Sequence, residues 1–191
     1  MRKVKFNSSD HQLDGKIQLL LSGFHQQDII SIDEIIAAVK LLPAKHLVGL
    51  KKINYDPSRL HQMLYYYLGI APNLSSLGEF IQKKRQVNMY KLHDKQQFYH
   101  TLFHEIGHYV YFFVINSHVK KEWATKIHRK DSFVSKYASK NAAEDFAECY
   151  SFYITHPKKL MQLNTKYSFI LQQVFNRENI NPSKNEVDLL L

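Results

Sequence analysis

Hydrophobic and polar positions along this chain change period several times, and each change marks a predicted element. Residues 10–22 and 31–42 read as helices, the second opened by Ser31 with Glu34 three positions on, the pairing of a capping box. A strand is predicted near Val48 to Tyr55. Asp56-Pro57 then predicts a helix through Leu68, because a capping acid precedes a proline at the first helical position. LGEFIQ and RQVNMYKL alternate on either side of Lys83 and Lys84, which predicts a β-hairpin whose second strand leads into the next helix. The same letters also fit a helix through Lys84 with Ser76 and Glu79 as its capping box; the alternation favours the hairpin.

From Gln96 to Ser117 the only charged residue is Glu105, and no proline interrupts FYHTLFHEIGHYVYFFVIN, so a buried helix is expected there. Ala143, Phe146, Ala147, Tyr150 and Tyr153 fall at helical spacing and predict a further helix. His156-Pro157 ends it and starts another, leaving a helical C-terminal part and a loose tail after Asn181. The expected class is α+β, a small mixed sheet with helices.

Composition narrows this picture without redirecting it. With 191 residues, 45% hydrophobic and 13% aromatic, the chain fits one domain, residues 1–191, with helices and sheet to residue 95 and a helical part from 96. It contains neither a repeat nor a low-complexity linker. A single cysteine, Cys149, forms no internal disulfide and is expected to be a packed core thiol. Net charge is +9, but the basic residues are dispersed as doublets such as Lys51-Lys52, Lys120-Lys121 and Lys158-Lys159. Doublets of that kind mean solvated faces, so no nucleic-acid partner is predicted. The basic start, Met1 to Phe6, runs into NSSDHQLDGK, which is polar where a signal peptide is apolar. A soluble chain without a membrane span is expected, cytoplasmic by default, with secretion and oligomeric state open.

The uncharged helix carries the candidate chemistry. His104-Glu105-Ile106-Gly107-His108 sets two imidazoles four residues apart. At about 100° and 1.5 Å per residue they share one face, about 6 Å apart along the axis, so both nitrogens can meet one zinc ion. Glu105, about 100° round from His104, is placed to act as a general base.

A hydrolytic zinc site needs a third protein ligand. The position where a metzincin carries its third histidine is Val114, which cannot ligate, so that subclass is excluded. Glu122 lies in KKEWATK, where a solvated ion pair explains it. Glu144 and Glu148 form an acidic stripe one turn apart. Glu144 also fits the third position after an Asn141 N-cap, where it would serve only the helix dipole. His100, one turn before His104, is a spare ligand, a partner near the cleft entrance or simply exposed, and Glu148 is either an orienting partner for a ligand histidine through its ring N–H or an ordinary surface acid.

The HEIGH helix, then Tyr137, then Glu144 seven residues later opening an E-D-F-A-E segment, resembles the catalytic domain of anthrax lethal factor and the clostridial Pro-Pro endopeptidases. The resemblance spans residues 86–156 and implies a gluzincin-type zinc peptidase with a zincin-like fold, an edge strand lying above the active helix. It implies His104, His108 and Glu144 as ligands of one zinc per chain, Glu105 as base, and Tyr137 as the side chain that helps stabilise the oxyanion. The usual Glu-Phe-Phe-Ala-Glu reads Glu-Asp-Phe-Ala-Glu here, placing Asp145 beside the ligand, and no substrate loop for Pro-Pro cleavage is visible.

A site so built lowers the pKa of a coordinated water from about 15.7 toward 7, and Glu105 takes its proton. The expected reaction is peptide hydrolysis, with an extended peptide or protein substrate pairing along the hairpin's second strand. A narrow regulatory protease of one intracellular target is an alternative. So is a basic interaction or effector protein that keeps the scaffold without catalysis, although such a protein has no use for Glu105.

Overall fold

The computed structural model describes residues 4–7, 18–71 and 73–176. Five strands form one mixed sheet in the order β1-β2-β3-β5-β4: β1 (Val4–Asn7), β2 (Gln18–Ser22), β3 (Lys52–Tyr55), β4 (Gly78–Ile81) and β5 (Gln86–Met89). The two outer pairs are antiparallel and the two inner ones, β2 with β3 and β3 with β5, are parallel. Helices α1 (Ile32–Lys40) and α2 (Leu60–Tyr67) lie between strands, and α3 (Lys95–Tyr109) follows β5. Next come α4 (Ser117–Glu122), α5 (Ala142–Thr155), α6 (Pro157–Met161) and α7 (Asn164–Phe169). Helices α3, α4 and α7 each run on through one π-helical turn. Among the described residues no helix is long and apolar enough to cross a membrane.

The expected helix over 10–22 is corrected where it can be seen: Gln18–Ser22 is a strand, and the part before Gln18 lies outside the described residues. Leu13, Ile17 and Leu21 are spaced like a helix face. Pairing with β1 and β3 overrides that period, because Leu19 and Leu21 alternate into the core. The strand expected from Val48 begins only at Lys52, since Gly49 turns the chain with φ of 88° and leaves Val48 exposed. Helix α2 starts at Leu60, not at Pro57. The Asp56 N–H continues the sheet by donating to the Met89 carbonyl at 2.8 Å, and its side chain accepts from Ser58 Oγ at 2.6 Å instead of capping a helix.

The Ser31–Glu34 capping box opens α1 as read. The hairpin also forms, with Arg85 in the left-handed region at φ of 47°, and Glu79 lies in β4, so the alternative helix through Lys84 is absent. Its geometry carries one correction. β5 is internal, between β3 and β4, so the edge strand beside α3 is the hairpin's first strand.

Helix α3 is capped by Asp94, which accepts from the Gln97 N–H at 2.8 Å, and α5 by Asn141, which accepts from the Ala143 and Glu144 N–H groups at 3.0 Å each. The two helices pack so closely that a Cβ on Gly107 would stand 3.0 Å from Ala147 Cα. Behind them, buried His46 joins three segments: its Nε2–H donates to the Val174 carbonyl at 3.1 Å, and its Nδ1 accepts from the Tyr150 hydroxyl at 2.9 Å. The tail after Asn181 lies outside the described residues.

Candidate metal centre

Close contact between α3 and α5 brings two imidazoles from one helix against a carboxylate from the other. Ligand atoms of His104, His108 and Glu144 lie within 4.8 Å of one another. Glu144 Oε2 stands 3.2 Å from His104 Nε2 and 3.1 Å from His108 Nε2. Donors bound about 2.0–2.2 Å from a tetrahedral zinc stand roughly 3.3–3.6 Å apart, so these spacings need only a few tenths of an ångström of adjustment. The residues present fit the ion. Asn141 caps the backbone of the first turn, which leaves the Glu144 carboxylate free to face the imidazoles.

Hydrogen bonding fixes which nitrogen is offered. A carboxylate accepts only, so the 2.8 Å contact between His104 Nδ1 and Glu148 places a proton on Nδ1 and turns Nε2 toward the centre. Glu148 is held in turn by Ser135 Oγ at 2.5 Å and by His100 Nε2 at 3.2 Å. His100 Nδ1 lies 3.0 Å from Ser151 Oγ. His100 is therefore a neighbour of Glu148 and not one of the converging donors. His108 Nδ1 is buried without a hydrogen-bond partner.

The same contacts pair the charges of the centre with one another. Burial alone would lower the pKa of His104, but hydrogen bonds to Glu144 and Glu148 outweigh it and raise it to about 10. Burial would raise Glu144, yet its hydrogen bonds to His104 and His108 bring it down to about 2. Glu148 is held well below the usual carboxylate range by the two imidazoles and Ser135, against the effect of its burial.

Glu105 is buried at the same cavity, and burial, only partly offset by the two histidines, raises its carboxyl above the usual range. Gly78 of β4 passes directly over it; a Cβ there would meet Glu105 Cγ at 3.1 Å and Thr101 Cγ2 at 2.9 Å. Tyr137 lies in the turn before α5, its ring 5.6 Å from that of His104, with Lys140 Nζ 3.5 Å from its face. Burial, then the three nearby glutamates, push its hydroxyl up to about 12, so it remains a donor at neutral pH. The cleft is one cavity of 620 Å³ and a second of 510 Å³, which share His104, Glu105, Tyr137 and Gly78.

Residues 50–186 match a family model described as "Putative zinc-binding metallo-peptidase". The chain belongs to this metallo-peptidase family. A search among curated proteins found no match. Membership agrees with a zinc site, and the matched segment contains every residue of the centre just described. Within this family member Asp145 is not part of the cleft. It is fully buried on the other side of α5, bonded to Lys166 Nζ at 2.9 Å and to His128 Nδ1 at 3.1 Å, so the acid beside Glu144 is half of an interior ion pair. Cys149 is a buried free thiol near that pair. Sequence reasoning missed Ser135 and Lys166; neither sits in a recognisable motif, and only the tertiary fold reveals their partners.

Proposed function

We propose that this chain is a zinc-dependent endopeptidase of the gluzincin type, with His104, His108 and Glu144 as zinc ligands, Glu105 as general base and Tyr137 as a donor to the oxyanion. The observation that carries this reading is the convergence of three donor atoms within 4.8 Å beside a buried carboxylate, at the floor of a cleft bordered by a sheet edge. A zinc ion held there supplies Lewis-acid polarisation of the scissile carbonyl and of the attacking water.

Glu105 takes a proton from the water and returns it to the departing amine nitrogen. The Tyr137 O–H donates to the oxygen that gains charge in the transition state. The outer backbone groups of β4 hold an extended substrate by strand addition, and bare Gly78 lets that backbone come close to Glu105. Cavities on both sides of the shared His104 and Glu105 suit a chain that passes through, which favours internal cleavage. Likeness of residues 86–156 to the lethal factor and Pro-Pro endopeptidase domains supports the same ligand set.

Zinc analysis and digestion of a peptide library, with Glu105→Gln in parallel, test the reading. Equimolar zinc in both proteins and cleavage by the parent alone are expected. A Glu105→Gln protein that cuts as well as the parent would overturn the assignment of the base.

A further inference from the structure

The larger cavity does not end at the metal donors. Part of its wall is Tyr65 of α2 with Ile70 and Ala71 just beyond that helix. Outside this wall α2 is built with its polarity reversed. Its buried residue is Gln62, whereas Leu60, Met63, Leu64, Tyr66 and Tyr67 are 47% to 78% exposed. Leu60, Met63, Leu64 and Tyr67 stack on one face at helical spacing, and exposed Leu68 and Ile70 carry the apolar surface to the cavity. The orientation is pinned by polar contacts. Gln62 accepts from Arg59 Nη1 at 2.9 Å and donates to Ser76 Oγ at 3.2 Å, which ties the inner face of α2 to the segment leading into β4. Contiguous apolar surface of this kind marks a site that something covers.

We propose that α2 and residues 68–71 extend the substrate groove and bind an apolar segment of the protein substrate, to one side of the scissile bond. This rests on the endopeptidase reading, and continuity decides the occupant: Ile70 belongs to both the exposed patch and the cavity wall. The arrangement is one-sided, because the other cavity is bordered by His100, Lys140 and Glu148 and does not reach α2. From Leu60 to Gly78 there is no Lys, Arg, Asp or Glu, so the patch itself is uncharged and suits an uncharged apolar chain. An eight-residue helix is about 12 Å long, which an extended peptide spans with about four residues.

The test digests a random library of long peptides with the zinc-loaded full chain, and with Leu64→Glu and Tyr67→Glu, and sequences the products. Expected for the parent is at least a threefold enrichment of Leu, Ile, Val, Phe or Tyr several residues from the cut, on one side only. Both variants lose that enrichment while preferences next to the cut persist. Two exposed positions are used so that one variant suffices if the other fails to fold. Absent enrichment, or enrichment unchanged in the variants, overturns the proposal. So does a parent dimer that both variants dissociate, which gives the patch to a second copy, or flotation of the parent alone with phosphatidylserine vesicles. Retention of library peptides on immobilised parent and Leu64→Glu is read separately. If nothing is cut but Leu64→Glu abolishes retention of apolar peptides, the groove stands and the peptidase reading falls; if neither cleavage nor retention is seen, both fall.

Discussion

Gly107 lies against Ala147 so tightly that a methyl group on the glycine would sit 3.0 Å from the alanine Cα and 3.2 Å from its carbonyl oxygen. This contact sets the spacing of α3 and α5, and with it the distance from the two imidazoles to Glu144. Gly107→Ala gains up to about 1 kcal/mol of helix propensity but overpacks a backbone contact at roughly 1–3 kcal/mol, so net destabilisation of about 1 kcal/mol is expected. Because the strain separates the ligand helices, zinc affinity should fall as well. Chemical denaturation with and without chelator, together with zinc titration, measures both.

The donor set makes a ranking. Glu144→Ala should lower zinc affinity by more than about 100-fold, since loss of an orienting partner alone costs about 10- to 100-fold. Glu148→Gln should fall in that lesser range, and His100→Ala should lie near the parent. Competition with a chromogenic chelator reads all three. If His100→Ala were the worst of them, the third ligand would be His100.

Lys166→Met should destabilise the protein by about 3–5 kcal/mol, because it strands the Asp145 carboxylate in a fully buried site. Asp145→Asn combined with Lys166→Met should recover part of that loss, since it removes the charge that the single change leaves behind without adding volume. Urea denaturation of the single and double variants checks the order.

Acid should weaken the fold through His46. Burial holds its pKa down at about 4, against the opposing pull of the Val174 carbonyl. A depressed histidine is neutral in the fold but takes up a proton when unfolded, so its contribution is fully present above about 6.5 and is lost as pH falls through that value toward 4. The span corresponds to about 3 kcal/mol. His46→Gln should flatten the dependence of unfolding free energy on pH in this window.

Legibility in the sequence followed how local each determinant is. The HEIGH spacing, the Ser31–Glu34 box, the Asn141 cap and the hairpin around Lys83 and Lys84 are set by residues a few positions apart, and all appear in the fold. Gln18–Ser22 was misread because its conformation depends on pairing with β1 and with β3, more than thirty residues away. The edge strand was misassigned for the same reason: alternation identifies a hairpin but not which of its strands meets a third. Asp145 could be noticed in E-D-F-A-E, but its partner Lys166 lies 21 positions further on and belongs to another helix.

Gly78 has a mechanical consequence. With no side chain between them, the hairpin and Glu105 form one wall, and a methyl at Gly78 would press on Glu105, Thr101 and the Asn88 carbonyl together. A peptide added to the sheet at β4 would pull on the same ribbon that covers the carboxylate. On the endopeptidase reading, docking and proton transfer would be geared through a single missing methyl.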